Sequence, residues 1–164
     1  TMSKNKNMRF TLTWLKEQLK LIRNHSLIDD AYFTEKGNIF IKTKMLTAIS
    51  KRGKDTKNKI GRLYIRFAQV NVTIRNMDFN CSSHPHPHAT DDGERICFGS
   101  NFDTFVEMIK TGKIFMAVDF LIAFFCQFYT GSPYMGYTEW LRKREATTNK
   151  HEDFYERPYK RLNP

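Results

Sequence analysis

The chain has 164 residues, 40% of them hydrophobic and 14% aromatic, with a formal net charge of +10. This length and composition predict one globular domain, and they exclude a disordered chain. The three cysteines are an odd number, which argues against a disulfide framework and indicates a reducing, cytoplasmic setting. The polar, basic stretch 1–7 is followed by no apolar signal region, so we expect no secretion signal.

Residues 9–24 are predicted to form an amphipathic helix, because leucine and isoleucine recur at spacings of three and four. The apolar positions are Leu12, Leu15, Leu19 and Ile22. We expect residues 1–8 to be a flexible N-terminus. Residues 27–36 are predicted to be a connector that ends in a turn at Gly37.

Two β segments follow. Residues 38–49 alternate like a strand, with Ile39, Ile41, Thr43, Met45 and Thr47 on one face. In residues 61–76 the apolar side chains stand at odd positions up to Phe67 and at even positions from Val70. Because a strand cannot change face without a break, a bulge or tight turn is predicted at Ala68 and Gln69.

Helical spacing returns near Asn101 and predicts helices over about 101–112, 113–129 and 134–144. The longest apolar run, 114–126, contains Asp119 and is too short to span a bilayer, so we expect no membrane segment. The polar residues 146–164 are predicted to be a mobile basic tail behind a single domain of residues 9–145. The order of elements predicts an α+β fold, with helices grouped against an antiparallel sheet.

The positive charge is concentrated in residues 36–66. This window holds ten basic residues against one acidic residue, Asp55, and so supplies +9 of the net charge. A basic surface of this kind binds nucleic acid or an acidic protein. The alternative is a solvated hairpin whose lysines keep the sheet edges soluble, since no aromatic residue interleaves with the lysines of 51–59.

Residues 81–99 contain three of the five histidines and two of the three cysteines. Pro85, Pro87 and the Asp92-Gly93 pair predict an irregular loop here. One hypothesis is a thiol nucleophile at Cys97, just ahead of a helix whose positive end would lower the thiol pKa.

In this hypothesis the neighbouring side chains have catalytic roles. His86 or His88 would accept a proton or donate to an oxyanion. Asp91 or Asp92 would orient an incoming amine or take its proton.

Two alternatives remain for the same segment. The first is a zinc site, since alternate histidines of an extended segment point the same way and a cysteine would complete four ligands. Its candidate ligands are Cys81, His84, His86, His88 and Cys97. The spacing matches no usual zinc finger, so we otherwise expect no metal or cofactor. The second alternative is a rigid loop in which Cys97 is a small buried hydrophobe.

The segment resembles the active-site region of the ubiquitin-conjugating family, whose pattern is His-Pro-Asn followed by Gly-x-Ile-Cys. His86-Pro87-His88 with Ile96-Cys97-Phe98-Gly99 is more similar to ubiquitin-conjugating-like proteins of bacteria and phages, which carry His-Pro-His and Ile-Cys-aromatic-Gly. The glycine Gly61 before a strand, and Ser132-Pro133-Tyr134 followed by Trp140, are also similar to features of those proteins. The resemblance covers about residues 10–142.

This resemblance implies a UBC-like fold with an N-terminal helix, an antiparallel β-meander, an irregular active-site loop and C-terminal helices. Cys97 would carry a ubiquitin-like modifier as a thioester, and His88 would replace the asparagine that supports the loop and the oxyanion. An activating enzyme would meet the basic side chains of the first helix, Lys16, Lys20 and Arg23.

The sequence also departs from the family pattern. A histidine stands in place of the asparagine, the loop to the cysteine is one residue longer, and Phe98-Gly99 follows the cysteine. The alternative function is therefore a non-catalytic module of the same fold, which holds a protein or nucleic acid through the loop and the basic window.

Overall fold

The computed structural model describes residues 11–50, 56–127 and 133–161, which form an α+β fold as predicted. Four long strands form one antiparallel sheet in the order β1-β2-β3-β4. The helices are α1 (Leu12–Arg23), α2 (Phe102–Lys110), α3 (Ile114–Phe125) and α4 (Tyr137–Lys143). The long strands are β1 (Ile28–Phe33), β2 (Ile39–Ser50), β3 (Thr56–Ala68) and β4 (Asn71–Asn76). The short strands are β5 (Phe79–Asn80), β6 (Ala89–Thr90), β7 (Arg95–Ile96) and β8 (Glu145–Ala146).

Helix α1 begins where the hydroxyl of Thr11 accepts a hydrogen bond from the backbone N–H of Trp14, an N-cap contact. Leu15, Leu19 and Ile22 are buried as predicted, whereas Leu12 is 54% exposed. The first turn of the helix therefore projects beyond the core. The predicted helix residues 9 and 10, like the rest of the N-terminus, lie outside the described residues.

The structure corrects the sequence interpretation at β1 and within β2. Residues predicted as a connector form β1, which pairs with β2. The β2–β3 register shifts between Lys42 and Met45 and again before Thr47. The buried side chains consequently change from Ile39 and Ile41 to Leu46 and Ala48. A bulge moves the following residues to the other face, so strict alternation fails beyond Thr43.

The predicted break at Ala68 and Gln69 is confirmed as a tight turn. Gln69 has a positive φ of 60°, and β3 and β4 pair in regular register on either side of it. β3 also begins earlier than the predicted segment of 61–76, at Thr56. Residues 51–55 are not among those described.

The C-terminal residues differ most from expectation. They are predicted to be a mobile tail, but residues 145–161, which we call the C-terminal strap, pack along the sheet. β8 pairs with β5, Thr34 bridges to Pro158, and Phe154 is only 3% exposed. The rings of Phe154 and Tyr155 in the strap pack with Tyr32, Phe40 and Tyr64 in a second hydrophobic cluster. Aromatic packing thus holds the strap on the sheet together with strand pairing and the Thr34 bridge.

No helix among the described residues is long and apolar enough to cross a membrane. The most apolar one, α3, has 12 residues and buries most of its side chains in the main core, beside α1 and α2. Its apolar character is therefore explained by burial within the domain.

Candidate functional site

Cys97 lies at the open end of a small hairpin made by β6 and β7. Ala89 pairs with Ile96 and Thr90 with Arg95, and the backbone N–H of Cys97 donates to the carbonyl of His88 at 2.8 Å. The side chain of Cys97 is partly exposed. This hydrogen bond fixes the cysteine backbone against the His86-Pro87-His88 turn.

Phe98, the residue after the cysteine, anchors this end of the hairpin in the core. It is 6% exposed and stacks on Phe105 of α2, with ring centroids 5.0 Å apart. A short 3-10 helix, Gly99–Asn101, separates Phe98 from α2. The predicted helix after Cys97 is therefore present, but one irregular turn away from the thiol.

His86 is fully buried, and both of its ring nitrogens are bonded. Nδ1 accepts the backbone N–H of His88 at 3.1 Å, so the proton lies on Nε2, which donates to the carbonyl of Phe125 at 2.9 Å. Burial lowers its pKa to about 3, with a smaller contribution from His88 and an opposing one from the Phe125 carbonyl. The predicted role of His86 as a proton acceptor is not supported, because a neutral, fully bonded imidazole has no site for a proton.

The side chain of His88 is also fully buried. Its ring packs against Phe124 and Tyr137, with centroids 5.0 and 5.7 Å away. The backbone carbonyl of His88 accepts the hydrogen bond from the Cys97 N–H. The position that the resemblance assigns to an oxyanion donor therefore carries an imidazole packed among aromatic rings.

Asp91 and Asp92 form the tip of the hairpin. The two cross-strand pairs of β6 and β7 separate them from the contact between His88 and Cys97. Both are exposed and left-handed, with φ of 50° and 55°, and the Asp91 carboxylate pairs with Arg95 at 3.2 Å. Gly93 follows at φ 85°, where an added Cβ would lie 1.9 Å from the carbonyl oxygen of Ile74. Glycine is therefore required where the tip touches β4.

The predicted zinc ligands are not assembled. The His84 ring donates to the carbonyl of Ala89 at 2.8 Å, and the buried Cys81 thiol contacts the sulfur of Met135 at 3.6 Å. Within 11–50, 56–127 and 133–161, no group of three or more His, Cys, Asp or Glu side chains could hold a metal ion.

Asn76 organises the loop, although its sequence context does not single it out. Its Nδ2 donates to the carbonyls of Ile60 and Pro85 at 2.7 and 2.9 Å, and its Oδ1 accepts two backbone N–H groups. Gly61 has φ +120°, and an added Cβ would lie 2.4 Å from this Oδ1. In the sequence, only Gly61 at the start of the predicted strand indicates this close approach. Trp140 braces the loop from the other side, since its Nε1 donates to the carbonyl of His84 at 2.9 Å.

The basic side chains predicted to bind partners lie in two places. On α1, Lys16 and Lys20 are exposed, but Nε of Arg23 donates to the carbonyl of Ala31 at 2.7 Å, which ties that side chain to β1. On the sheet, Arg62 pairs with Asp78 at 2.9 Å, and Arg66 lies 3.5 Å from Glu156.

The charge of the 36–66 window is thus partly compensated by carboxylates. Its remaining described lysines include the exposed Lys36, Lys44, Lys57 and Lys59.

No family model, no curated protein and no solved structure matches the chain. Its function is therefore inferred from the residues of the site.

Proposed function

We propose that this chain is a ubiquitin-conjugating-like protein that carries a ubiquitin-like modifier as a thioester on Cys97 and transfers it to an amine. The observation that carries the proposal is the placement of Cys97: a partly exposed cysteine held by a backbone hydrogen bond to a buried His-Pro-His turn. A nucleophile needs both access and a fixed position.

The arrangement of elements supports the same proposal. A first helix, a four-stranded antiparallel meander, an irregular loop with the cysteine, and then further helices follow in this order. The resemblance of the 86–99 segment to ubiquitin-conjugating proteins implies that order.

The proposed reaction has two steps. The Cys97 thiolate attacks the carbonyl carbon of a modifier activated as a thioester; the donor C–S bond breaks, and the donor thiolate leaves. An amine then attacks the new thioester, loses a proton to solvent or to a base, and releases the Cys97 thiolate. Backbone N–H groups near the thiol, rather than the buried imidazole of His88, would stabilise the oxyanion in this geometry.

The burial of His88 favours a second candidate function. If the loop has exchanged an oxyanion-supporting side chain for core packing against Phe124 and Tyr137, the chain would keep the fold without the chemistry and act as a binding module. In that case Cys97 forms no acyl intermediate.

A model acyl donor separates these functions. The full chain is incubated with a synthetic peptide thioester ending in glycine and examined by intact-mass spectrometry. We expect one acyl adduct that a thiol reductant removes. Cys97→Ala should abolish it, and Cys97→Ser should form either a reductant-resistant ester or no adduct.

The other cysteines provide matched controls. Burial raises the pKa of Cys81, and it raises the pKa of Cys126 to about 11. Both thiols therefore stay protonated and poorly nucleophilic at neutral pH. Cys126→Ala should keep the adduct. An adduct that survives in Cys97→Ala would refute the carrier function, and no adduct in any variant would support the binding module.

A further inference from the structure

A cavity of about 100 Å³ lies between β4, the loop of residues 79–85, the tip of the hairpin and the C-terminal strap. Arg75 and Asn80 line it from the sheet and the loop, Asp92 from the hairpin tip, and Asn149 and His151 from the strap. Its walls thus come from four separate parts of the chain, and most of them are polar. A space of this size fits one small polar group rather than a nucleotide or a peptide.

Arg75 is the cation of this cavity, and its charge is poorly compensated. Its Nη1 donates to the carbonyls of Ile74 and Asp92, and its guanidinium lies 4.7 Å from the centroid of the Phe154 ring. Within the described residues it makes no ion pair with a carboxylate and donates no hydrogen bond from Nε or Nη2.

Burial lowers the pKa of Arg75; the negative charge of Asp92 is the main opposing effect, Arg66 lowers the pKa further, and Glu94 and Asp153 oppose this. A partly desolvated guanidinium that makes no direct ion pair is costly.

Arg62, on the neighbouring strand, shows the usual solution. Its guanidinium makes several hydrogen bonds to the Asp78 carboxylate, at 2.9 to 3.2 Å. Arginine presents a fork of N–H donors that matches a carboxylate or phosphate. Arg75 has the same set of N–H donors. Its guanidinium lines a polar cavity, whereas that of Arg62 is paired with a carboxylate.

We propose that this cavity binds a small oxyanion, either inorganic phosphate or the carboxylate of a small acid, on the guanidinium of Arg75. The amides of Asn80 and Asn149 and the imidazole of His151 supply further donors. Asp92 also lines the cavity, and its negative charge would disfavour dianions more than singly charged oxyanions. The bound anion would join the strap to the hairpin tip. The proposal is independent of the role of Cys97.

The test uses the full chain labelled with ¹⁵N. Sodium phosphate and sodium acetate are titrated separately near pH 6, where phosphate is mainly a monoanion, with ionic strength held constant by sodium chloride. We expect saturable shifts of the Arg75 Nε–H signal and of the backbone amides of Asn80, Asn149 and His151. Comparing the two titrations shows which oxyanion the site prefers.

Arg75→Gln should weaken binding by at least about tenfold, because it removes a charge-assisted hydrogen-bonding fork. Arg62→Gln, which removes an equal charge already paired with Asp78, should leave the affinity unchanged. Linear, non-saturating shifts with both anions, or equal binding by the wild type and Arg75→Gln, would overturn the proposal.

A second variant keeps the test decisive if Arg75→Gln disturbs folding. His151 has a left-handed backbone with φ 49°, and asparagine tolerates this conformation well. His151→Asn should therefore keep the strap conformation and weaken anion binding by several-fold, since the shorter asparagine amide withdraws its donor from the position of the imidazole N–H. Unchanged affinity in His151→Asn, together with shifts confined to exposed lysines, would also exclude the site.

Discussion

The two faces of the sheet are built from different side chains. The inner face buries aliphatic residues such as Ile39, Ile41 and Ile65 against α1 and the later helices. The outer face carries aromatic rings and cations. The Phe40 ring stacks on Tyr32 and packs at a tilt against Phe154 of the strap, with ring centroids 5.3 Å apart in both pairs. The inner layer depends on aliphatic packing. The outer layer depends on a few rings, the arginines placed over them and one buried carboxylate.

The candidate site belongs to the inner layer, and the strap belongs to the outer one. His86 joins the loop of Cys97 to α3 through Phe125, whereas Phe154 joins the strap to β2. A change at His86 should therefore destabilise the whole domain, and a change at Phe154 should mainly release the strap. Substitutions in each layer test this contrast.

The largest effect is expected from His86→Ala. The change removes a buried ring, its bond to the Phe125 carbonyl and its contacts with Phe125 and Tyr137. We expect a loss of about 3 to 5 kcal/mol in the free energy of unfolding, measured by urea denaturation. His84→Ala is the control; this half-exposed ring makes one bond to a carbonyl, so its loss should cost about 1 kcal/mol. Equal losses would contradict the proposed anchoring role of His86.

A smaller global effect, with a distinct local signature, is expected from Phe154→Ala. The ring is buried between Arg66 and Arg75, whose guanidinium carbons lie 4.6 and 4.7 Å from its centroid. Local detachment of the strap limits the global loss to about 2 to 3 kcal/mol. Hydrogen exchange should show lost protection in 145–161 and retained protection in β2 and β3. The exposed Phe102 gives the control, and Phe102→Ala should change stability by less than about 0.5 kcal/mol.

These contrasts show how far the sequence predicts the fold. Helix α1, the turn at Gln69 and the α+β class follow from spacing rules that depend on burial against one core. β1 and the strap do not, because neither segment has a clean period. The strap is held by single contacts, such as Phe154 on Phe40, that only the folded sheet brings together.

The same limit applies to the site. Clustering of histidine and cysteine indicates the segment, and the loop geometry places Cys97 at a partly exposed position. The burial of His86 and His88 could not be predicted, because it depends on α3 and α4, which lie far along the chain. The role of Asn76 cannot be predicted for a similar reason, since its partners Ile60 and Pro85 are neighbours only in space.

An acid-dependent loss of stability should follow from His86. The pKa of His86 in the folded chain is about 3, below the ordinary 6.5. Between these two pH values the unfolded chain binds a proton on this imidazole and the folded chain does not. The stability it contributes is complete above about pH 6.5 and falls as the pH drops toward 3, by about 1.4 kcal/mol per unit. Urea unfolding from about pH 6.5 to 5 should therefore show a decrease of about 2 kcal/mol. His86→Asn should reduce this slope, and an unchanged slope would show that other groups cause it.

The smallest effect is expected from Glu156→Gln in the strap. The buried carboxylate accepts the hydroxyl of Thr34 at 2.7 Å and the amide of Asn38 at 3.0 and 3.2 Å, and it lies 3.5 Å from Arg66. All of these neighbours are hydrogen-bond donors. In glutamine an NH2 group replaces one of the two carboxylate oxygens, so one acceptor is lost and the new donor points at other donors. We expect a loss of about 1 to 2 kcal/mol at neutral pH by urea unfolding, because the bonds are charge-assisted.

Glu152→Gln is the matched control, since Glu152 lies on the same strap but is exposed, and it should leave stability unchanged. If the two variants behave alike, the buried carboxylate does not hold the strap. The aromatic rings alone would then account for the outer layer. If only Glu156→Gln increases hydrogen exchange in residues 145–161, the buried carboxylate of Glu156 is required to hold the strap on the outer face of the sheet.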